Sequence, residues 1–346
     1  MIDKEQVLAA LSKVLDPDLQ KDLVSLNMIK DLTVSADNIS FSVELTTPAC
    51  PMKDEIKRAC ENAIRHMVSD TAELAIKMTA QVKQSNMDKG QLQHIKNILL
   101  VVSGKGGVGK STIATNLAVG LAQEGAQVGL LDADIHGPSI PHMMGLQEAR
   151  PGSSENKKMV PVKKHGVQVN SIGFMLRPEQ ALVWRGPMVS SALKQLAFDT
   201  LWGALDYLII DAPPGTGDIH LTLAQAIPIS SVLVVSTPQQ VAIADARKAL
   251  AMFDMKGLEK PVLGLVENMS YLLAENGEKT HPFGQGGAAQ LAKEFNSQVL
   301  AKIPLDSTVT SSGDLGSPAI LSGSTALKEM VQKVAQALSI QNMQAK

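Results

Sequence analysis

The hydrophobic rhythm of the chain changes near residue 97. Before that point apolar residues recur at helical or alternating spacing. Val7, Leu8, Leu11, Val14 and Leu15 share one face of a helix expected from about Asp3 to Leu15, and Asp16-Pro17-Asp18 ends it. Ile39, Phe41, Val43 and Leu45 alternate with polar residues, the pattern of a half-buried strand. After Thr46-Thr47-Pro48-Ala49-Cys50-Pro51, a second helix carries Ile56, Ala59, Cys60, Ala63, Ile64 and Met67 on its apolar side. These elements predict a small α+β domain over residues 1–83, and the polar stretch 84–96 reads as a linker. From Asn97 the apolar residues come in unbroken runs separated by helical patterns. Candidate strands are Ile98 to Ser103, Val128 to Asp132, Val167 to Ser171, Tyr207 to Asp211, Val232 to Thr237, Val262 to Val266 and Val299 to Ile303. Such runs suit parallel strands covered on both faces. The expected fold class is therefore α/β, a doubly wound and mainly parallel sheet over 97–346 that binds its ligand at the carboxyl ends of the strands.

The first of these strands runs into Gly104-Lys105-Gly106-Gly107-Val108-Gly109-Lys110-Ser111, and a helical pattern through Ile113, Leu117 and Leu121 follows. This is the strand-loop-helix setting of a phosphate-binding loop. Glycines turn backbone N–H groups toward phosphates, the helix start adds partial positive charge, and Lys110 reaches the β- and γ-phosphates. Ser111 offers a hydroxyl to Mg²⁺, and Thr112 follows it in the first turn. Hydrolysis further needs metal support and an oriented water. Leu131-Asp132-Ala133-Asp134 closes the second strand with both carboxylates expected on one side, and Asp134 is the candidate to orient or deprotonate the water. Asp211 ends another strand, placed to hold Mg²⁺ through water, and Ala212-Pro213-Pro214-Gly215-Thr216-Gly217-Asp218 reads as a loop sensing the γ-phosphate. Each aspartate has an alternative reading as a helix cap or turn residue.

Composition narrows the setting. The 346 residues leave room for about two domains, and 45% hydrophobic content supplies a substantial core. Apolar runs fall short of the roughly 20 residues of a membrane span, and the N-terminus lacks a secretory pattern, so a cytoplasmic protein is expected. A net charge of -2 gives no general attraction to nucleic acid or acidic lipid, and Lys157-Lys158 and Lys163-Lys164 read as solvated charges in a loop. Cys50 and Cys60 are too few for a disulfide framework. Cys60 lies on an apolar helical face. Cys50 follows a strand and precedes a helix whose dipole favours the thiolate, so it reads either as a thiol ligand or acceptor or as a small buried residue.

The loop with Lys105, the Asp132/Asp134 pair and the Asp211–Asp218 segment resemble the deviant Walker ATPases that include MinD, ParA and the nitrogenase iron protein. Val183-Trp184-Arg185-Gly186-Pro187-Met188, Glu267-Asn268-Met269-Ser270, Phe283-Gly284-Gln285-Gly286-Gly287 and Gly313-Asp314-Leu315-Gly316 resemble, more narrowly, the Mrp/ApbC family of ATP-dependent iron-sulfur cluster carriers. Asp16-Pro17-Asp18-Leu19 and the segment around Cys50 are similar to the small domain that precedes the ATPase in many of those proteins. The resemblance implies a homodimer closed by ATP, with Lys105 crossing the interface to the partner's phosphates much as an arginine finger does. It also implies that Asn268 hydrogen-bonds adenine, that Pro304 lies against it, and that a [4Fe-4S] cluster is passed to apo iron-sulfur clients. No guanine-reading Asn-Lys-x-Asp motif follows a suitable strand, so ATP is expected over GTP.

One departure stands out. The family carries Cys-x-x-Cys after Asn-Met-Ser-Tyr, whereas this chain reads Ala274-Glu275-Asn276-Gly277, and Glu275, Glu278 and His281 are poor replacements for thiolates. The expected function is a dimeric, Mg²⁺-dependent ATPase that assembles or transfers iron-sulfur clusters. The alternative is a cluster-free, ATP-dependent dimer switch that docks a partner protein.

Overall fold

In a computed structural model, which describes residues 2–344 apart from 36–37, 88–89 and 176–185, the chain forms two compact units. One comprises Met1–Lys83 with Ala335–Lys346, the other Gln84–Val334.

The first unit contains α1 (Lys4–Leu11), β1 (Ile29–Ser35), β2 (Asn38–Leu45), α2 (Lys53–Met67) and β3 (Glu73–Ala80). β2 is central, antiparallel to β1 and parallel to β3. Its alternation is realised: Ile39, Phe41, Val43 and Leu45 all point into a core with Val7, Leu11, Ile56, Cys60 and Ile64. α1 is shorter than its pattern. The N–H groups of Lys13 and Val14 bond the carbonyls of Ala10 and Leu11, a tighter turn that ends the helix, and Leu15 leaves to pair with Asp22, 54% exposed. The end of the C-terminal helix, Thr325–Gln344, belongs to this unit rather than to the second. There Gln336 bonds the Asp18 carboxylate, and the Asn342 amide donates to the Lys83 carbonyl at 3.2 Å.

The second unit is built on one sheet of β4 (Ile95–Val102), β5 (Val128–Asp132), β6 (Val162–Lys164), β7 (Val167–Ser171), β8 (Leu205–Asp211), β9 (Ser231–Ser236), β10 (Val262–Glu267) and β11 (Val299–Lys302). The order is β6-β7-β5-β8-β4-β9-β10-β11, and every pair except β6-β7 is parallel. The unbroken apolar runs follow from this arrangement, since β5 and β9 are buried along their whole length. Lys163 and Lys164, expected in a loop, lie on the edge strand β6, where charged side chains discourage pairing with another sheet. Residues 84–96 are likewise part of the unit. Leu92 and Ile95 enter its core, and the Ser85 and Ser230 hydroxyls meet at 2.9 Å. Strand order changes direction around β4, which opens a crevice at the carboxyl ends of β4, β8 and β5.

Candidate functional site

The loop between β4 and α3 (Lys110–Gln123) crosses this crevice under tight constraint. Gly107 and Gly109 take φ of 82° and 83°, which side chains other than glycine's rarely adopt. At Gly104 a Cβ would stand 2.1 Å from the carbonyl carbon of Asp245 in the helix Gln240–Phe253. The loop is thus wedged against a neighbouring helix. Lys110 Nζ donates to Asp211 Oδ1 at 2.7 Å and lies 3.2 Å from Ser111 Oγ, with Lys110 6% and Asp211 0% exposed. Burial pushes the Asp211 carboxyl upward, while Lys110 and Ser111 pull it back.

Asp211 Oδ2 is buried with no hydrogen-bond partner. A buried carboxylate oxygen without a donor, next to a serine hydroxyl, is a hard oxygen set that fits Mg²⁺ and its waters. Lys105 lines the same cleft with Gly106, Gly107, Val108 and Asp134, and its ammonium makes no hydrogen bond or ion pair among the described residues.

The two aspartates after β5 separate. Alternation places both on one side, but β5 ends at Asp132 and the chain turns there, the Asp134 N–H bonding Asp132 Oδ1 at 3.1 Å. Asp132 Oδ2 also accepts from Ser171 Oγ at 2.9 Å and Ile140 N at 3.3 Å. With three donors Asp132 braces the loop. Its carboxyl is pushed upward by burial and by Asp211, its partner in register on β8. Asp134 lines the cleft, 8% exposed, its Oδ1 accepting from Gly137 N at 3.2 Å.

The crevice continues past Gly109 and Thr112 to Asn268, Met269, Pro304 and Asp306. Asn268 Nδ2 donates to the Val108 carbonyl at 2.9 Å, which ties the end of β10 to the phosphate loop. Glu267, given no role above, holds that corner: buried, it accepts from Ser270 Oγ at 2.5 Å and from Ala288 N at 3.1 Å. The signal for it was a carboxylate closing the apolar run Val262–Val266.

Residues 274–277 form the turn of a small hairpin in which Leu272–Leu273 pairs with Lys279–Thr280. The Ala274 N–H bonds the Glu278 carbonyl at 2.9 Å, and Gly277 has φ of 81°. Glu275 and Glu278 are exposed, and His281 Nδ1 lies 2.9 Å from the Ser270 carbonyl. Among the described residues no group of three or more His, Cys, Asp or Glu is placed to hold a metal ion. Cys50 does not have the low-pKa environment expected of it. Burial, reinforced by Asp18 and Asp16, pushes its thiol up to about 11 against the helix start. Cys60 is fully buried, its thiol pushed up to about 12 by burial. Of the segment 183–188, residues 183–185 lie outside the described residues.

Residues 94–339 match the family of NUBPL iron-transfer P-loop NTPases, and residues 4–74 match the family described as iron-sulfur cluster assembly protein. The iron-sulfur cluster carrier protein of Synechocystis sp. is 44% identical over 93% of this chain and 92% of its own length. The carrier protein of Deinococcus radiodurans is 44% identical over 98% and 97%. Among solved structures, a nucleotide-binding protein of Archaeoglobus fulgidus in complex with ADP is 40% identical, with TM-score 0.58 over 65% of this chain and 88% of that one. The cell division ATPase MinD of Pyrococcus furiosus, 22% identical, shares the fold with TM-score 0.51 over 69% of this chain and 97% of its own. With a phosphate-loop cleft at the carboxyl ends of a parallel sheet and relatives matched over nearly its whole length, the chain belongs to the NUBPL family of iron-transfer P-loop NTPases.

Proposed function

We propose that the chain works as a homodimeric, Mg²⁺-dependent ATPase that carries iron-sulfur clusters to apoproteins. The observation that supports it most is the buried Lys110–Asp211 pair beneath a glycine loop whose cleft also holds Lys105 and Asp134. Backbone N–H groups of 104–110 and the start of α3 receive the phosphates. Ser111 and Asp211 would hold Mg²⁺, which when bound would supply positive charge to neutralise the phosphates. Asp134 orients a water in line with the γ-phosphorus and takes its proton as the oxygen–phosphorus bond forms and the bond to ADP breaks. Lys110, and Lys105 from the partner subunit, stabilise the charge that develops. Asn268 and Pro304 take the adenine ring, and ATP is preferred over GTP.

The cluster is cargo. Both cysteines lie in the first unit, so the ATPase unit contributes no thiolate. Cys50, partly exposed, supplies one thiolate from each protomer, and cysteines of the apoprotein complete the ligand set on transfer. The test is anaerobic reconstitution with iron and sulfide, followed by metal analysis and by ATP-dependent transfer to an apo acceptor. Iron that binds wild type and is lost in Cys50→Ser is the expected result. A colourless, iron-free wild type would overturn the cargo assignment and leave the ATP-driven dimer as a switch that docks a partner.

A further inference from the structure

One buried side chain beside the cleft completes no hydrogen bond of good geometry. The helix Asp218–Ala226 follows the loop 212–217, and His220 lies in its first turn, 1% exposed, its backbone N–H bonded to the Gly217 carbonyl at 3.0 Å. Both ring nitrogens are buried without a hydrogen-bond partner. Native proteins seldom leave a buried polar ring in that condition, and a partner gained in a functional state is one way it is satisfied. Burial pushes the imidazole down to about 4, so near neutrality it is uncharged and offers one donor and one acceptor. The ring already faces the Pro213 backbone carbonyl, which raises its pKa as an acceptor without reaching full hydrogen-bond geometry, while the Lys110 ammonium and the Asp134 carboxylate act on it through their charges.

The intervening loop is anchored at two points. The Ala212 N–H bonds the Val101 carbonyl and the Gly215 N–H bonds the Ser103 carbonyl, each at 3.0 Å. Between them Pro213 and Pro214 have no N–H, so the carbonyls are the groups this stretch can offer a ring donor. Pro214 lines the cleft with Lys105 and Asp134. We propose that His220 is a positioning residue for this loop: when ATP is bound its ring donates to the Pro213 carbonyl and fixes Pro214 and Gly215 over the γ-phosphate. A ring unbonded in one arrangement and bonded in another biases the loop toward the second, and ATP selects that state because only ATP has a γ-phosphate to meet it.

The inference rests on the ATPase reading above. Full-length His220→Leu, which keeps volume without hydrogen bonds, and His220→Gln, which keeps a neutral donor, are compared with wild type. His220→Leu is expected to lower kcat about tenfold with ADP affinity unchanged, and His220→Gln to recover to within about threefold. In wild type labelled with ¹⁵N-histidine, the His220 ring signal should move with a nonhydrolysable ATP analogue and Mg²⁺, and not with ADP. Wild-type kcat in His220→Leu, or a ring signal that responds alike to both nucleotides, overturns the proposal. If the leucine variant does not fold, the glutamine variant assigns the signal and the wild-type shift decides. Wild type that fails to hydrolyse ATP would instead overturn the ATPase reading.

Discussion

The turn from β4 into α3 and the turn from β2 into α2 each bring a side chain capable of charge to a helix start, and they treat that charge in opposite ways. At the first, the Lys110 ammonium is buried but bonded at 2.7 Å to an aspartate, among glycines that expose backbone N–H groups. At the second, the Cys50 carbonyl accepts from Lys53 N at 3.4 Å, and the thiol meets desolvation together with the like-signed charges of Asp18 and Asp16. A helix start contributes about half a positive charge in both places. A bonded partner of opposite sign compensates the buried lysine, whereas at Cys50 the dipole alone does not outweigh burial and two nearby carboxylates.

Several substitutions test that contrast. Lys110→Ala should reduce steady-state phosphate release by about a thousandfold or more; near-normal release would show that this turn does not hold the phosphates. Lys105→Ala should lower single-turnover hydrolysis by about a hundredfold or more while ADP binding, followed by a fluorescent nucleotide, changes little. Full hydrolysis by that variant would remove the trans role assigned to its ammonium. At pH 7 Cys50 should hold roughly a hundredfold less thiolate than an unperturbed thiol. Its alkylation rate should climb through a midpoint near 11, and a midpoint at or below the ordinary 9.0 would erase the contrast. Because the folded state holds that proton longer, the stability linked to Cys50 is present below 9.0 and is lost as pH rises through about 11. Urea unfolding of wild type against Cys50→Ser across this window measures it. Asn268→Ala has the smallest expected effect, about tenfold weaker ATP binding by calorimetry, from the lost tie to Val108 and the loss of the adenine contact proposed above.

Legibility in the sequence followed the strength of the local signal. Ile98 to Val102 and Leu208 to Ile210 announce central strands because both faces are covered, and the glycine loop carries its own chemistry. β1 and β3 escaped because they are half exposed and mix lysine, aspartate and glutamate with their apolar residues, which blurs the period of two. Alternation placed Asp132 and Asp134 on one side, but the chain turns between them, and Asp132 gathers donors from Asp134, Ile140 and the distant Ser171, the last of which no local pattern announces. The Cys50 environment was hidden for the same reason, since Asp16 and Asp18 lie more than thirty positions upstream. His220 gave no periodic or motif signal; its lack of partners is a property of the packed interior alone.

The position of β4 has a consequence for how the protein is made. Its neighbours in the sheet are β8 and β9, both encoded far downstream, while β5, the next strand to be synthesised, pairs with β8 and β7 instead. When the ribosome has finished the glycine loop, the strand that carries it has no sheet partner, and the aspartate that meets Lys110 does not yet exist. The nucleotide crevice is therefore a late product of translation, assembled from contacts of long sequence separation. A truncated nascent chain ending before Leu205 leaves the apolar strand β4 without either sheet partner, the kind of unpaired surface that is prone to aggregate until the rest of the unit is made.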